Sequence, residues 1–79
     1  MGRILENIVF IALRRKAQQV FYYKNKFECD FVVKVRNQIS EAYQVCYELN
    51  SDNREREIEG LKDALTDFRL TDGILLTYN

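Results

Sequence analysis

The chain has no histidine and no proline, three glycines and two cysteines. Each scarcity removes a class of function. Without histidine, and with Cys29 and Cys46 far apart, there is no donor set for a structural zinc site. Gly2, Gly60 and Gly73 are isolated and cannot build the glycine-rich loop that cradles nucleotide phosphates, so no ATPase activity is expected of this chain. Two cysteines do not make the disulfide framework of a small secreted domain. No apolar run approaches the roughly 20 residues of a membrane-spanning helix, and the short run over 8–13 has no small-residue cleavage site after it. The expected location is therefore cytoplasmic, with no membrane partner. Nothing marks a linker, repeat or low-complexity tract, so residues 1–79 are expected to form one compact domain.

What is present argues for a real core. Hydrophobic residues make up 47% of the chain, with five Tyr and five Phe. A domain this small buries about 60–65% of its unfolded surface, which leaves marginal stability and favours contact with a partner. Net charge is zero, but residues 1–36 hold eight Lys/Arg against three Asp/Glu, and residues 37–79 hold four against nine. The basic half could face phosphates; the acidic half could be a solvated helix or a docking surface.

Residues 3–16 have helical spacing, with Leu5, Ile8, Val9, Ala12 and Leu13 on one stripe that Ile4 and Ile11 widen. Arg14, Arg15 and Lys16 suit the helix C-terminus. Glu6 falls about 20° from Leu13 on the helical wheel, at the stripe's border. Residues 20–24 read as a strand, Asn25 and Lys26 as a turn, and 27–36 as a longer strand. In the latter, alternation sets Phe27, Cys29, Phe31, Val33 and Val35 against Glu28, Asp30, Val32, Lys34 and Arg36. Residues 39–49 alternate too, with Gln44 and Cys46 opposite Tyr43, Val45 and Tyr47. This pattern puts the two cysteines on opposite faces, too poorly placed for a bridge.

The register between the two long strands follows from which residues must be buried. A two-residue loop at Asn37 and Gln38 would set Phe31 against Gln44 and Asp30 against Val45. A shifted or longer loop, or a bulge, pairs Phe31 with Tyr43 or Val45, and Asp30 with Gln44 or Cys46. The second arrangement keeps core residues together and gathers Asp30, Gln44 and Cys46 on one face.

Asn50, Ser51, Asp52 and Asn53 announce a second helix, with Asp52 and Glu55 at capping-box spacing. Ile58, Leu61, Leu65 and Phe68 mark its apolar face, and Glu55, Glu57 and Glu59 suit its N-terminus. Thr71, Asp72 and Gly73 form a turn before an apolar run over 74–78, which reads as a buried parallel strand. The fold class is thus α/β, in the order α-β-β-β-α-β: a four-stranded mixed sheet flanked by two helices.

Residues 2–10 (GRILENIVF), 21–23 (FYY), 28–33 (ECDFVV), 43–47 (YQVCY), 54–57 (RERE) and 73–78 (GILLTY) carry a resemblance over nearly the whole chain. The chain resembles the PD-(D/E)XK nuclease superfamily in its Holliday-junction-resolvase-like form. More closely, it is similar to the C-terminal domain of a family of bacterial and archaeal AAA-type ATPases. The resemblance implies a restriction-endonuclease-like core in which Asp30 matches the metal-binding Asp, Gln44 the Glu, Cys46 the Lys and Glu6 the helix carboxylate. Such a nuclease needs hard oxygen ligands for Mg²⁺ and a cation beside the phosphate. Gln44 offers only a neutral carbonyl, and Cys46 no positive charge. The four positions are therefore expected to be vestigial, no cofactor is expected, and the chain is expected to act in protein interaction or nucleic-acid binding. Its expected partners are a second copy or a parent ATPase. The alternative is an active Mg²⁺-dependent DNA endonuclease with Glu6 and Asp30 as metal ligands and Lys34 lending its ammonium. Binding to nucleic acid would use Arg3, Arg14, Arg15, Lys16 and Lys34, with Lys24, Lys26 and Arg36, on phosphates, and Tyr22, Tyr23 and Tyr47 as stacking surfaces.

Overall fold

The structure, a computed structural model, describes residues 2–16, 19–24 and 28–78. The expected element order holds: α1 (Gly2–Lys16), β1 (Gln19–Lys24), β2 (Glu28–Val35), β3 (Gln38–Cys46), α2 (Arg54–Phe68) and β4 (Ile74–Thr77). The sheet runs β1-β2-β3-β4, antiparallel except for the parallel β3–β4 pair. The turn expected at Asn25 and Lys26, and Phe27, lie outside the described residues. No helix among the described residues is long and apolar enough to cross a membrane.

Two clusters, one on each face of the sheet, form the core. Leu13, Val20, Phe31, Val33, Tyr43 and Val45 pack under α1 with Leu5, Val9 and Leu76. Cys29, Val32, Ala42 and Ala64 pack under α2 with Tyr23, Ile39, Leu61, Leu65, Phe68 and Leu70. The i, i+4, i+8 set Leu5, Val9 and Leu13 is thus the buried stripe of α1. Ile4, Ile8 and Ile11, expected to share it, stand 61%, 59% and 54% exposed. The helix is apolar over so much of its circumference that periodicity could not say which arc the sheet would take.

The β2–β3 register is one of the two expected, Phe31 opposite Tyr43 rather than Val45, reached by a shifted loop and a bulge together. Arg36 and Asn37 form the two-residue turn with φ of 52° and 69°, the doubly left-handed geometry whose twist matches the flanking strands. A register shift between Val33 and Lys34 then brings the apolar residues level. A second irregularity lies between β1 and β2, where Phe21 pairs with Val32 but Tyr23 with Cys29. The extra residue falls at Asp30 and Phe31 and breaks the alternation, so Cys29 and Val32 face α2 while Phe31 and Val33 face α1. Cys46 also lies toward α2, where its sulfur meets Asn53. Both cysteines are free and on the same side of the sheet, not on opposite faces as alternation predicts.

The start of α2 also departs from expectation. Its N-cap is Asn53, not Asp52, and no side chain caps it. Asn50 organises the turn instead: its Oδ1 accepts the N–H groups of Asp52 and Asn53, and its carbonyl accepts that of Arg54. The Asn53 amide donates to the Glu48 carbonyl at 2.8 Å, tying the helix start to the end of β3. At the other end Arg69 takes a left-handed conformation and Leu70 donates to the Leu65 carbonyl, closing the helix. β4 is an edge strand rather than a buried one, and Ile74 is 41% exposed.

Candidate functional site

Where β2 and β3 separate, side chains take over from the main-chain ladder. The Asp30 N–H donates to Gln44 Oε1 at 2.8 Å, and the Val45 N–H donates to Asp30 Oδ2 at 2.8 Å. Gln44 Nε2 donates to the carbonyls of Glu28 at 3.0 Å and Glu57 at 2.9 Å. One side chain, 2% exposed, thus joins β2, β3 and α2. The helix lies close enough for this because its sheet-facing residues Gly60 and Ala64 are small and buried.

The sequence-derived set is therefore partly assembled. Asp30 and Gln44 are in direct contact, and Cys46 follows Gln44 on the α2 side, its thiol donating to the Glu48 carbonyl at 3.1 Å. Glu6 reaches the same region from α1: with Asp30, Tyr22, Tyr23, Lys24, Glu28 and Cys29 it lines an open cleft of about 290 Å³. Lys34 does not share this setting. The bulge takes Asp30 out of phase with Lys34, which pairs with Ile39 near the hairpin turn. The cation that lines the cleft is Lys24, 3.6 Å from Glu28.

The electrostatics of this corner are acidic. Burial, then the nearby charges of Glu6, Glu57 and Glu28, push the Asp30 carboxyl up to about 6, against the opposing pull of the Val45 N–H. Glu57, on the first turn of α2, is also raised, by burial first, with Glu6 adding to it and Arg56 opposing it. Burial and the neighbouring Glu57 raise the Cys46 thiol, and burial lifts Cys29 to about 11. Neither thiol is an activated nucleophile. In the sequence Glu57 reads only as a residue suited to the helix dipole. Its spacing with Gly60 and Ala64, at i, i+3 and i+7, was the available sign that it faces the sheet.

A divalent cation fits this donor set poorly. Gln44 Oε1 is occupied by the Asp30 N–H, one Asp30 oxygen by Val45, and both Gln44 amide donations end on main-chain carbonyls. Among the described residues, no three acidic or thiol side chains are grouped to hold a metal ion. The basic residues are dispersed as well. Arg3 and the Arg14, Arg15, Lys16 group lie at opposite ends of α1, and Lys16 is 3.6 Å from Glu41. Tyr22 packs on Phe31, Tyr23 donates to Asp67 and stacks edge-on with Phe68, and Tyr47 stacks on Tyr78.

The raised Asp30 pKa has a checkable consequence. In the folded chain Asp30 holds its proton at a pH where the unfolded chain has lost it, so stability falls as pH rises from about 4 through about 6. Asp30→Asn keeps an oxygen for the Val45 N–H and removes the charge. Urea unfolding at pH 7 is expected to show the variant more stable by about 1 kcal/mol, discounted for partial exposure. The gain should vanish near pH 4, below the window in which wild-type Asp30 ionises.

No protein-family model matches the chain, and no solved structure matches it. The uncharacterized protein MJ1544 of Methanocaldococcus jannaschii is 46% identical over 85 residues, covering 99% of this chain and 19% of that protein. The chain thus spans about a fifth of the length of this relative.

Proposed function

We propose that the chain is a catalytically inactive nuclease-like module that acts by binding other protein surfaces. The observation that carries this reading is Gln44: at the position that the nuclease resemblance gives to a metal-binding carboxylate, a neutral side chain spends its oxygen and both amide hydrogens on Asp30, Glu28 and Glu57. A side chain so committed braces the fold, its oxygen already engaged by the Asp30 N–H and its position fixed by both amide hydrogens. Cys46, in place of the lysine, adds no positive charge, and the carboxylates around Asp30 are arranged to repel a phosphate.

The resemblance assigns such modules to the C-terminal part of AAA-type ATPases, with a restriction-endonuclease-like core. A relative that is about five times longer than the stretch it shares fits a module carried within a larger protein. In that role the chain would dock on a parent ATPase, and a basic face would be secondary. The competing reading, an active Mg²⁺-dependent endonuclease, draws on one observation: Glu6 and Asp30 open on the same cleft as Lys24.

A cleavage assay separates the two. Supercoiled plasmid and branched duplex DNA, incubated with the chain and Mg²⁺ or Mn²⁺, are expected to remain intact, as with Asp30→Ala. Cutting that is lost in Asp30→Ala would establish the nuclease and end the inactive-module reading.

A further inference from the structure

We infer that the outer edge of β4 is a self-association surface, joining two copies of the chain edge to edge into one continuous sheet. The inference makes the proposed interaction role specific and rests on that reading only in assigning the chain to partner binding. It does not depend on the nuclease likeness.

The direction of the main-chain groups can be read from the ladder. Val45 turns its N–H toward β2, where Asp30 accepts it. Gln44 and Cys46, one residue to either side, therefore turn theirs toward β4. Leu76 lies opposite Val45 and meets their groups, so Leu75 directs its N–H and C=O away from the sheet. Exposed edges of this kind are templates for another strand unless charge, proline, a bulge or a covering element blocks them. β4 has no charged residue and no proline, and its pairing with β3 runs without a register shift. β1, the other edge, ends on Lys24 and faces an irregular ladder.

The side chains favour a second copy as the occupant. About a two-fold axis through Leu75, an antiparallel β4 pair sets Leu75 against Leu75 of the second copy, exchanging two hydrogen bonds. It also sets Ile74 against Leu76, both on the α1 side of the sheet. This parity matters, because a shift of one residue would oppose side chains from different faces. The pairing removes Ile74 from water and extends the apolar cluster under α1 across the junction. The exposed stripe of α1 is the rival surface, but it suits a second copy badly. Arg14, Arg15 and Lys16 close that helix, and its first turn has no acidic residue to receive them from an antiparallel partner.

Strands this short give a contact well under about 1,200 Å², so association is expected to be weak and concentration-dependent. Sedimentation of the chain from about 1 µM to about 500 µM is expected to show the mass rising from 9.4 kDa toward twice that value. Ile74→Lys, at a position already partly in water, should weaken dimerisation by about tenfold or more. Ile8→Lys on α1 should leave it unchanged. Hydrogen exchange on the wild-type chain needs no variant: protection of the Leu75 amide should rise with concentration. A mass fixed at 9.4 kDa, Leu75 exchange independent of concentration, or a dimer lost in Ile8→Lys but kept in Ile74→Lys would each overturn the assignment. None of these readouts depends on DNA cleavage, so the two proposals fail separately.

Discussion

Gln44→Glu, the substitution that would restore the carboxylate of the nuclease pattern, is expected to weaken the fold by about 3–5 kcal/mol at pH 7, the usual cost of an uncompensated buried charge. Two effects add. The new carboxylate cannot donate, so the bonds to the Glu28 and Glu57 carbonyls are lost and become contacts between oxygens. The site is also 2% exposed and lies beside Asp30 and Glu57, both already raised by burial first and by neighbouring carboxylates. A chain of 79 residues has on the order of 4–12 kcal/mol of total stability, so the variant is expected near or past its unfolding midpoint. The loss should shrink on acidification, because the introduced carboxyl can donate again once protonated. Urea unfolding at pH 5 and pH 7 measures both statements. Recovery at pH 7 on adding Mg²⁺ would show that the corner can still gather a metal, and would reverse the inactive reading.

Gln44 also marks where the sequence was readable. Alternation and the need to bury Phe31 together narrow its partner to Tyr43 or Val45 without any appeal to function, and the structure takes Tyr43, the register that brings Asp30 and Gln44 into contact. The bulge at Asp30 and Phe31 was not readable. It falls where Asp30 meets Gln44 through side-chain bonds in place of ladder bonds, a contact between residues 14 apart in sequence that local alternation does not encode. From it follow the shared face of Cys29 and Cys46 and the separation of Lys34 from Asp30. α1 and β4 failed for another reason. A helix apolar over a wide arc does not say which arc is buried, and a short apolar run reads the same at an edge as in the middle of a sheet. Asn53 displaced Asp52 as the cap because Asn50, three residues earlier, already held the turn.

Gly60→Ala gives the other large effect, and its sign separates packing from propensity. Alanine in a helix interior is worth about 1 kcal/mol over glycine, so a reading of α2 by itself expects stabilisation. Gly60 has no positive φ for alanine to oppose. The obstacle is contact: a Cβ at this position would overlap the Glu28 carbonyl oxygen and come within 2.7 Å of Gln44 Nε2. The first is main chain of β2, and the second is held by its own hydrogen bonds. Neither can swing aside as a surface side chain would. Relief requires α2 to lift from the sheet, which stretches the Gln44–Glu57 bond and opens the packing of Ala64, fully buried one turn on. Overpacking of this kind costs about 1–3 kcal/mol, and a broken buried bond about 1–3 kcal/mol more, against the roughly 1 kcal/mol gained. The expected net loss is about 2–4 kcal/mol in urea unfolding. A variant as stable as wild type, or more so, would show that α2 does not rest on β2 at this point, and the brace through Gln44 would fall with it.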